Sequence, residues 1–364
     1  MIAPARRTYL DVLRGVAVLV MIEAHVIDAW TRVEDRQLPG FRQSLILGGF
    51  GAPLFLFLAG VAVAMSAGSK ARRAGDDRAA ARLVQRRGLQ IFALAFLFRL
   101  QSMILSHGPL WTLLKVDILN IMGPSIVAAA GVWRLARTPR GRVAAFAALT
   151  VAIVLATPVI RHSAGLAALP DWIEGYLRPI PGLTNFTFFP WSAFVTAGAL
   201  VGVILDQART ADADRRANMA FGAAGIALAV LAYGASFLPP LHAGSSFWTT
   251  SASFFFIRLG VMVAAVGAAY LWEQRPSAGR RFSPLQLLGR TSLFVYWIHV
   301  ELVYGLVSTP LHGAFSLAGA WVALGLFCLL MLLAAILKDH IARNSFPRQN
   351  LQRKLSRLAG ALMF

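Results

Sequence analysis

The chain has 364 residues, of which 57% are hydrophobic and only 14% charged, with a mean hydropathy of +0.64. A soluble domain carries about a quarter charged residues, so the composition excludes an ordinary soluble globule and predicts an all-α, polytopic membrane helix bundle. The net charge of +19 does not signal a nucleic-acid partner, because the basic residues sit in short segments between apolar runs and do not form a patch.

In chain order, apolar segments long enough to cross a bilayer fall near 12–30, 44–66, 88–106, 117–133, 143–160, 186–205, 218–238, 251–272, 291–308 and 316–336. This predicts about 10 transmembrane helices. Counting basic residues on alternate sides puts 27 of the 35 Lys and Arg on the side of the N-terminus and of the tail after 337. Both termini are therefore expected in the cytosol. The expected domains are a membrane domain, 1–340, and a cytosolic basic amphipathic tail, 341–364. Arginine outnumbers lysine 31 to 4, a GC-rich coding signature that points to a bacterial chain and hence to the cytoplasmic (inner) membrane. The first segment is not expected to be a cleaved signal peptide, since Glu23, His25 and Asp28 interrupt its apolar core. Cys328 is the only cysteine, which excludes a disulfide framework or a thiol metal site, and no bound metal is expected. The stretch 67–87 is the most basic loop of this reading, suited to topology, to anionic lipid or to a phosphorylated ligand arriving from the cytosol.

Ionisable residues inside these spans are costly and are usually functional. In the first, Arg14 and His25 are eleven residues apart, about three turns, so they share a face about 16 Å apart along the axis. Asp11 and Asp28 flank that face, and Asp28 is expected to orient the His25 ring. Glu23 points away. Arg99 lies beyond the midplane of the third span, Asp117 opens the fourth with Asn120 and Pro124 on its face, and Arg258 is about two turns into the eighth. His299 and Glu301 lie near the middle of the ninth, on roughly opposite faces. Each has a structural alternative: snorkelling for Asp117 and Arg258, an ion pair with Asp117 for Arg99, and a satisfied core position for His299. Together they could line a polar chamber and include an oxyanion donor. The chain offers no zinc-ligand spacing, no nucleophile elbow and no phosphate-binding loop. The run 48–53 is Gly-rich but lacks the Lys-Ser/Thr that such a loop needs. What remains is a histidine beside a carboxylate, which suits general-base activation of a hydroxyl or amine.

These residues carry a resemblance. Leu10-Asp11-Val12-Leu13-Arg14-Gly15, followed ten residues on by His25, resembles the opening of the membrane acyltransferase superfamily. The segments 51–60, Arg86-Arg87-Gly88, Asp117-Ile118-Leu119, Phe189-Pro190-Trp191 and 288–293 running on to His299 are most similar to bacterial members of the heparan-alpha-glucosaminide N-acetyltransferase family. The resemblance implies a multi-pass enzyme that takes an acetyl or other short acyl group from cytosolic acyl-CoA. It implies delivery to a sugar or glycolipid amine or hydroxyl across the membrane. The lysosomal member of that family carries its active histidine in the segment after the first helix, but loop 31–43 here contains none, so the role passes only to His25. Arg14, Arg86, Arg87 and Arg290 are expected to meet the CoA phosphates through their guanidinium forks. A homodimer is left open. The competing readings are a proton-coupled transporter or flippase using His25, Asp28 and Glu301 as a relay, and a non-catalytic scaffold.

Overall fold

The structure is a computed structural model that describes residues 6–242, 244–275 and 283–361, with side chains up to 344. It is a helical bundle without strands among the described residues. The helices are α1 (Thr8–Trp30), α2 (Pro39–Gly48), α3 (Gly51–Ala74), α4 (Asp77–Leu105), α5 (Ile118–Leu135), α6 (Pro139–His162) and α7 (Asp171–Leu177). They continue with α8 (Phe188–Gln207), α9 (Ala211–Ala235), α10 (Ala252–Glu273), α11 (Pro284–Arg290), α12 (Ser292–Tyr304) and α13 (Leu317–Ala361).

Among the described residues eight helical stretches are long and apolar enough to cross a membrane, with α2 and α3 counting as one stretch, Pro39–Ala74. The protein is thus a polytopic helical membrane protein. The other two expected spans are helices of a different character. α1 has 23 residues but carries Asp11, Arg14, Glu23 and Asp28. α12 has 13 residues, about 20 Å of rise against roughly 30 Å of hydrocarbon. α11 precedes it across a break at Thr291 and supplies the missing length. The basic segment 67–87 is not a loop. α3 continues to Ala74, Gly75 turns the chain at φ +67°, and α4 starts at Asp77 behind the Asp76 cap, whose carboxylate accepts the Arg78 N–H at 2.7 Å. The expected tail boundary at 341 falls inside α13. The amphipathic character of that tail rests on side chains beyond 344, which lie outside the described residues.

α1 is central, packing on α2, α3, α10, α11, α12 and α13. Tyr9, Leu10, Leu13 and Ala17 belong to the larger apolar core, built on α3, α5, α8 and α10. Val18, Ile22, Val26, Ile27 and Trp30 belong to a second core against α11, α12 and α13. The tightest crossing is α3 on α8. There a Cβ added at Gly60 would lie 1.9 Å from the Val195 carbonyl oxygen, and one at Gly198 1.8 Å from that of Phe57. Two helices can approach this closely in lipid only through small residues.

The two ends are tied differently. At the end where α1 starts, buried or half-buried ion pairs join helices: Arg72 to both Asp206 oxygens at 2.6 and 2.7 Å, Arg7 to Asp214 at 2.8 Å, and Arg142 to Asp77 at 2.6 Å. At the other end backbone bridges also join the connecting segments. Thr31 bridges to Phe315, and Val116 bridges to Thr184. There Asp35 accepts the Leu317 N–H at 2.8 Å and pairs with Arg32, which holds its carboxyl below the usual carboxylate range.

Gly198→Ala should lower stability by about 1–3 kcal/mol or more, because a carbonyl oxygen occupies the space of the new methyl. Gly222→Ala in α9 meets nothing within 4 Å and should be neutral or stabilising. Melting of the two variants in detergent checks the contrast, and equal melting temperatures would remove the close-crossing argument.

Candidate active site

α1 and α12 bring two histidines together. The Nδ1 of His299 lies 2.9 Å from the Val295 carbonyl oxygen one turn back. A carbonyl only accepts, so this nitrogen carries the proton and the His299 Nε2 carries a lone pair. His25 Nδ1 lies 2.9 Å from that Nε2 and must donate to it. The rings are nearly parallel, at 3°, with centroids 5.1 Å apart. The tautomer of His25 is thereby fixed, leaving Nε2 as its basic nitrogen. His299 is fully buried, while His25 is half-buried and lines a cavity of about 1160 Å³.

The cavity runs along α1. At the end where that helix begins it is lined by Arg14, Arg87 and Ser292. Arg14 lies 3.1 Å from Asp11, which also holds Arg6 at 2.7 Å. Deeper in the cavity are His25, Glu301, Arg99 and Asp117. Arg99 forms an ion pair with Asp117, the structural alternative read in the sequence. The other Asp117 oxygen accepts from Asn185 at 2.8 Å, and Asn120 closes a capping box with Asp117 at the start of α5. Trp191 and Phe186, edge to face at 4.7 Å, complete this far end.

Other expected positions lie elsewhere. Asp28 is exposed, and its carboxylate accepts from the Tyr304 hydroxyl at 3.4 Å, so the orienting partner of His25 is His299. The reason is position: Asp28 sits in the last turn of α1, where its side chain reaches water, whereas His299 faces His25 across a helix contact. The His25–Asp28–Glu301 relay is accordingly not assembled. Arg86 and Arg290 are exposed and do not line the cavity. Arg86 is one residue, about 100° of helix, away from Arg87, and the Arg290 Nε caps the Gln286 carbonyl at 3.4 Å. Arg258 is buried behind the wall, stacked on Phe254 at 4.3 Å and near the Gly49 carbonyl oxygen at 3.5 Å. Glu23 is buried near Gly48 of α2.

A family model for an acyltransferase domain matches residues 7–339, the whole bundle with both histidines and every cavity residue named above. The chain belongs to the acyltransferase-3 family. It is a membrane acyltransferase. The family is the broader of the two read in the sequence. No curated protein matches the chain significantly. Lys115, Thr184, Asn185 and the pairing of the two histidines escaped the sequence reading; the signal for the pairing was the similar depth of His25 and His299 in their spans.

In this acyltransferase, His25→Ala should reduce acyl transfer by at least about 10²-fold, the lower range of general acid–base catalysis. His299→Ala should cost an intermediate factor, on the order of ten to a hundred, because the base remains but its tautomer and orientation are no longer fixed. Asp28→Asn should be near neutral. Single-turnover rates at saturating substrates check the ranking, and a larger loss in Asp28→Asn than in His299→Ala would overturn it.

Proposed function

We propose that this acyltransferase moves an acetyl or other short acyl group from acyl-CoA, bound at the end where α1 begins, to an acceptor hydroxyl or amine at the opposite end. The carrying observation is one continuous cavity that joins Arg14 and Arg87 to the His25 ring. Arg14 lies about 16 Å from His25 by helix rise, so an extended pantetheine arm along α1 carries the thioester to Nε2. The phosphates then stay with the guanidinium groups. His25 Nε2 takes the proton of the acceptor as its oxygen or nitrogen attacks the thioester carbonyl. The C–S bond breaks, the CoA thiolate leaves, and the imidazolium returns the proton to sulfur. Nothing in this scheme requires an acyl-histidine.

The acceptor class proposed is a sugar or glycolipid. The narrower likeness to the heparan-alpha-glucosaminide N-acetyltransferase family favours an amine on that sugar. The orientation proposed puts the Arg14 end and both termini in the cytosol of a cell whose inner membrane holds the chain, supported by 27 of 35 basic residues on that side. In a Cys328→Ser background, Leu38→Cys should label with an impermeant maleimide in intact cells and Ala74→Cys should not. The reverse pattern would invert the orientation and the direction of transfer.

Acetyl-CoA should raise the melting temperature of the purified protein, since a ligand that binds only the folded state stabilises it. Arg14→Ala should abolish most of that rise. No shift in the wild type would remove acyl-CoA as the donor, and an unchanged shift in Arg14→Ala would move the phosphate contacts elsewhere.

A further inference from the structure

The cavity wall is not equally firm on all sides. Toward α5, α4 is fixed by a backbone crossing: a Cβ added at Gly88 would lie 2.8 Å from the Gly123 carbonyl oxygen. On its other side α4 meets α12, and these two are not a closely packed pair. They touch through two layers of side chains. The inner layer is Phe98 against Tyr296, with ring centroids 5.8 Å apart, and both residues line the cavity. The outer layer is Trp297, which stands edge to face on Phe98 at 5.2 Å and donates its Nε1–H to Gln101 Oε1 at 2.7 Å. Gln101 and Trp297 are half-buried and lie outside the cavity lining. Among the described residues no other element packs closely on both helices, so this seam has no covering helix.

The seam also lies at the depth of the reacting ring. By helix rise Gln101 is about 6 Å from the end of α4, Trp297 about 10 Å from the end of α12 and His25 about 8 Å from the end of α1. Tyr296 of the inner layer touches His299, with ring centroids 5.9 Å apart, and so abuts the histidine pair. Outside, Leu97, Leu100 and Ile104 of α4 are exposed beside it. We propose that the seam between α4 and α12 is a lateral entrance, through which an acceptor with a hydrocarbon tail passes from the bilayer to His25. Such an amphiphile keeps its chain in lipid while its head group turns into the cavity. Passage through an end of the cavity would drag the chain through water, at a cost proportional to the apolar area exposed. Opening asks little of the fold: one neutral hydrogen bond parts and aromatic side chains change rotamer. The inference rests on His25 as the reacting centre and narrows the acceptor to one carried by the membrane.

The test is photolabelling of the intact protein in phosphatidylcholine nanodiscs. The probe is dodecyl glucoside with a diazirine on its chain next to the sugar. Mass spectrometry should find label at Phe98, Tyr296 and Val300, which line the cavity, and at lipid-facing Leu97 and Leu100. In a Cys328→Ser background, Gln101→Cys and Trp297→Cys are then bridged across the seam by a short bismaleimide, added after folding. The bridge should abolish the interior label and leave that at Leu97 and Leu100 unchanged, whereas the unbridged double-cysteine protein should label like the wild type. No interior label before bridging, or an undiminished one after it, would overturn the entrance. Equal loss at Leu97 and Leu100 would overturn it too, since the bridge would then act on the lipid face and not on a passage. The labelling uses no donor, so a failure of the acyl-CoA reading would leave this result standing. Failure of the entrance would in turn leave His25 reachable through the ends of the cavity.

Discussion

Hydrocarbon gives a polar side chain no water to turn to, so most ionisable groups inside this bundle take a partner from protein, and Glu23, with neither carboxylate oxygen bonded among the described residues, is an exception. The arrangement of helices follows that demand. Asp206 is buried because Arg72 meets it with both nitrogens, and Asp117 because Arg99 and Asn185 share its two oxygens. His299 lies in the second core with its ring spanning a carbonyl and another ring. The Arg72–Asp206 and His25–His299 contacts join helices distant in the chain, so there polar satisfaction and tertiary order are set by the same contacts. Arg258, which has aromatic faces instead of a carboxylate, obeys the rule by a weaker route through cation–π contact.

α1 is where this constraint meets function. It divides the two cores, carries Arg14 and His25 on one face, and holds four charged residues among its 23. A helix so polar is tolerated because neighbours surround it on all sides, and the cavity lies along its functional face. The glycine-mediated crossing packs α3 and α8 nearly backbone to backbone.

Most of this architecture was legible in the sequence. The apolar runs coincide with helices because hydropathy alone decides where a chain can cross lipid. The shared face of Arg14 and His25 follows from 3.6 residues per turn. What the sequence could not supply was adjacency between helices. His25 and His299 are 274 residues apart, and no periodicity rule says which spans become neighbours. Asp28, one turn from His25 on the same face, was the natural partner in the sequence, but proximity along a helix loses its force in a last turn open to water. The same lesson separates Arg87 from Arg86, since one residue decides whether a guanidinium faces the cavity or the outside. The break between α2 and α3 near Gly49 and Phe50 was also hidden, because apolar residues continue through it.

The hydrogen-bond chain from His25 through His299 ends on the Val295 carbonyl, a group with no proton to give and no capacity to keep one. It is a dead end for charge. A proton arriving at His25 Nε2 has a single way out, back through the nitrogen by which it came, and cannot be handed along the ring pair toward the other membrane surface. Whatever proton chemistry occurs at this ring must therefore enter and leave by the cavity that His25 lines.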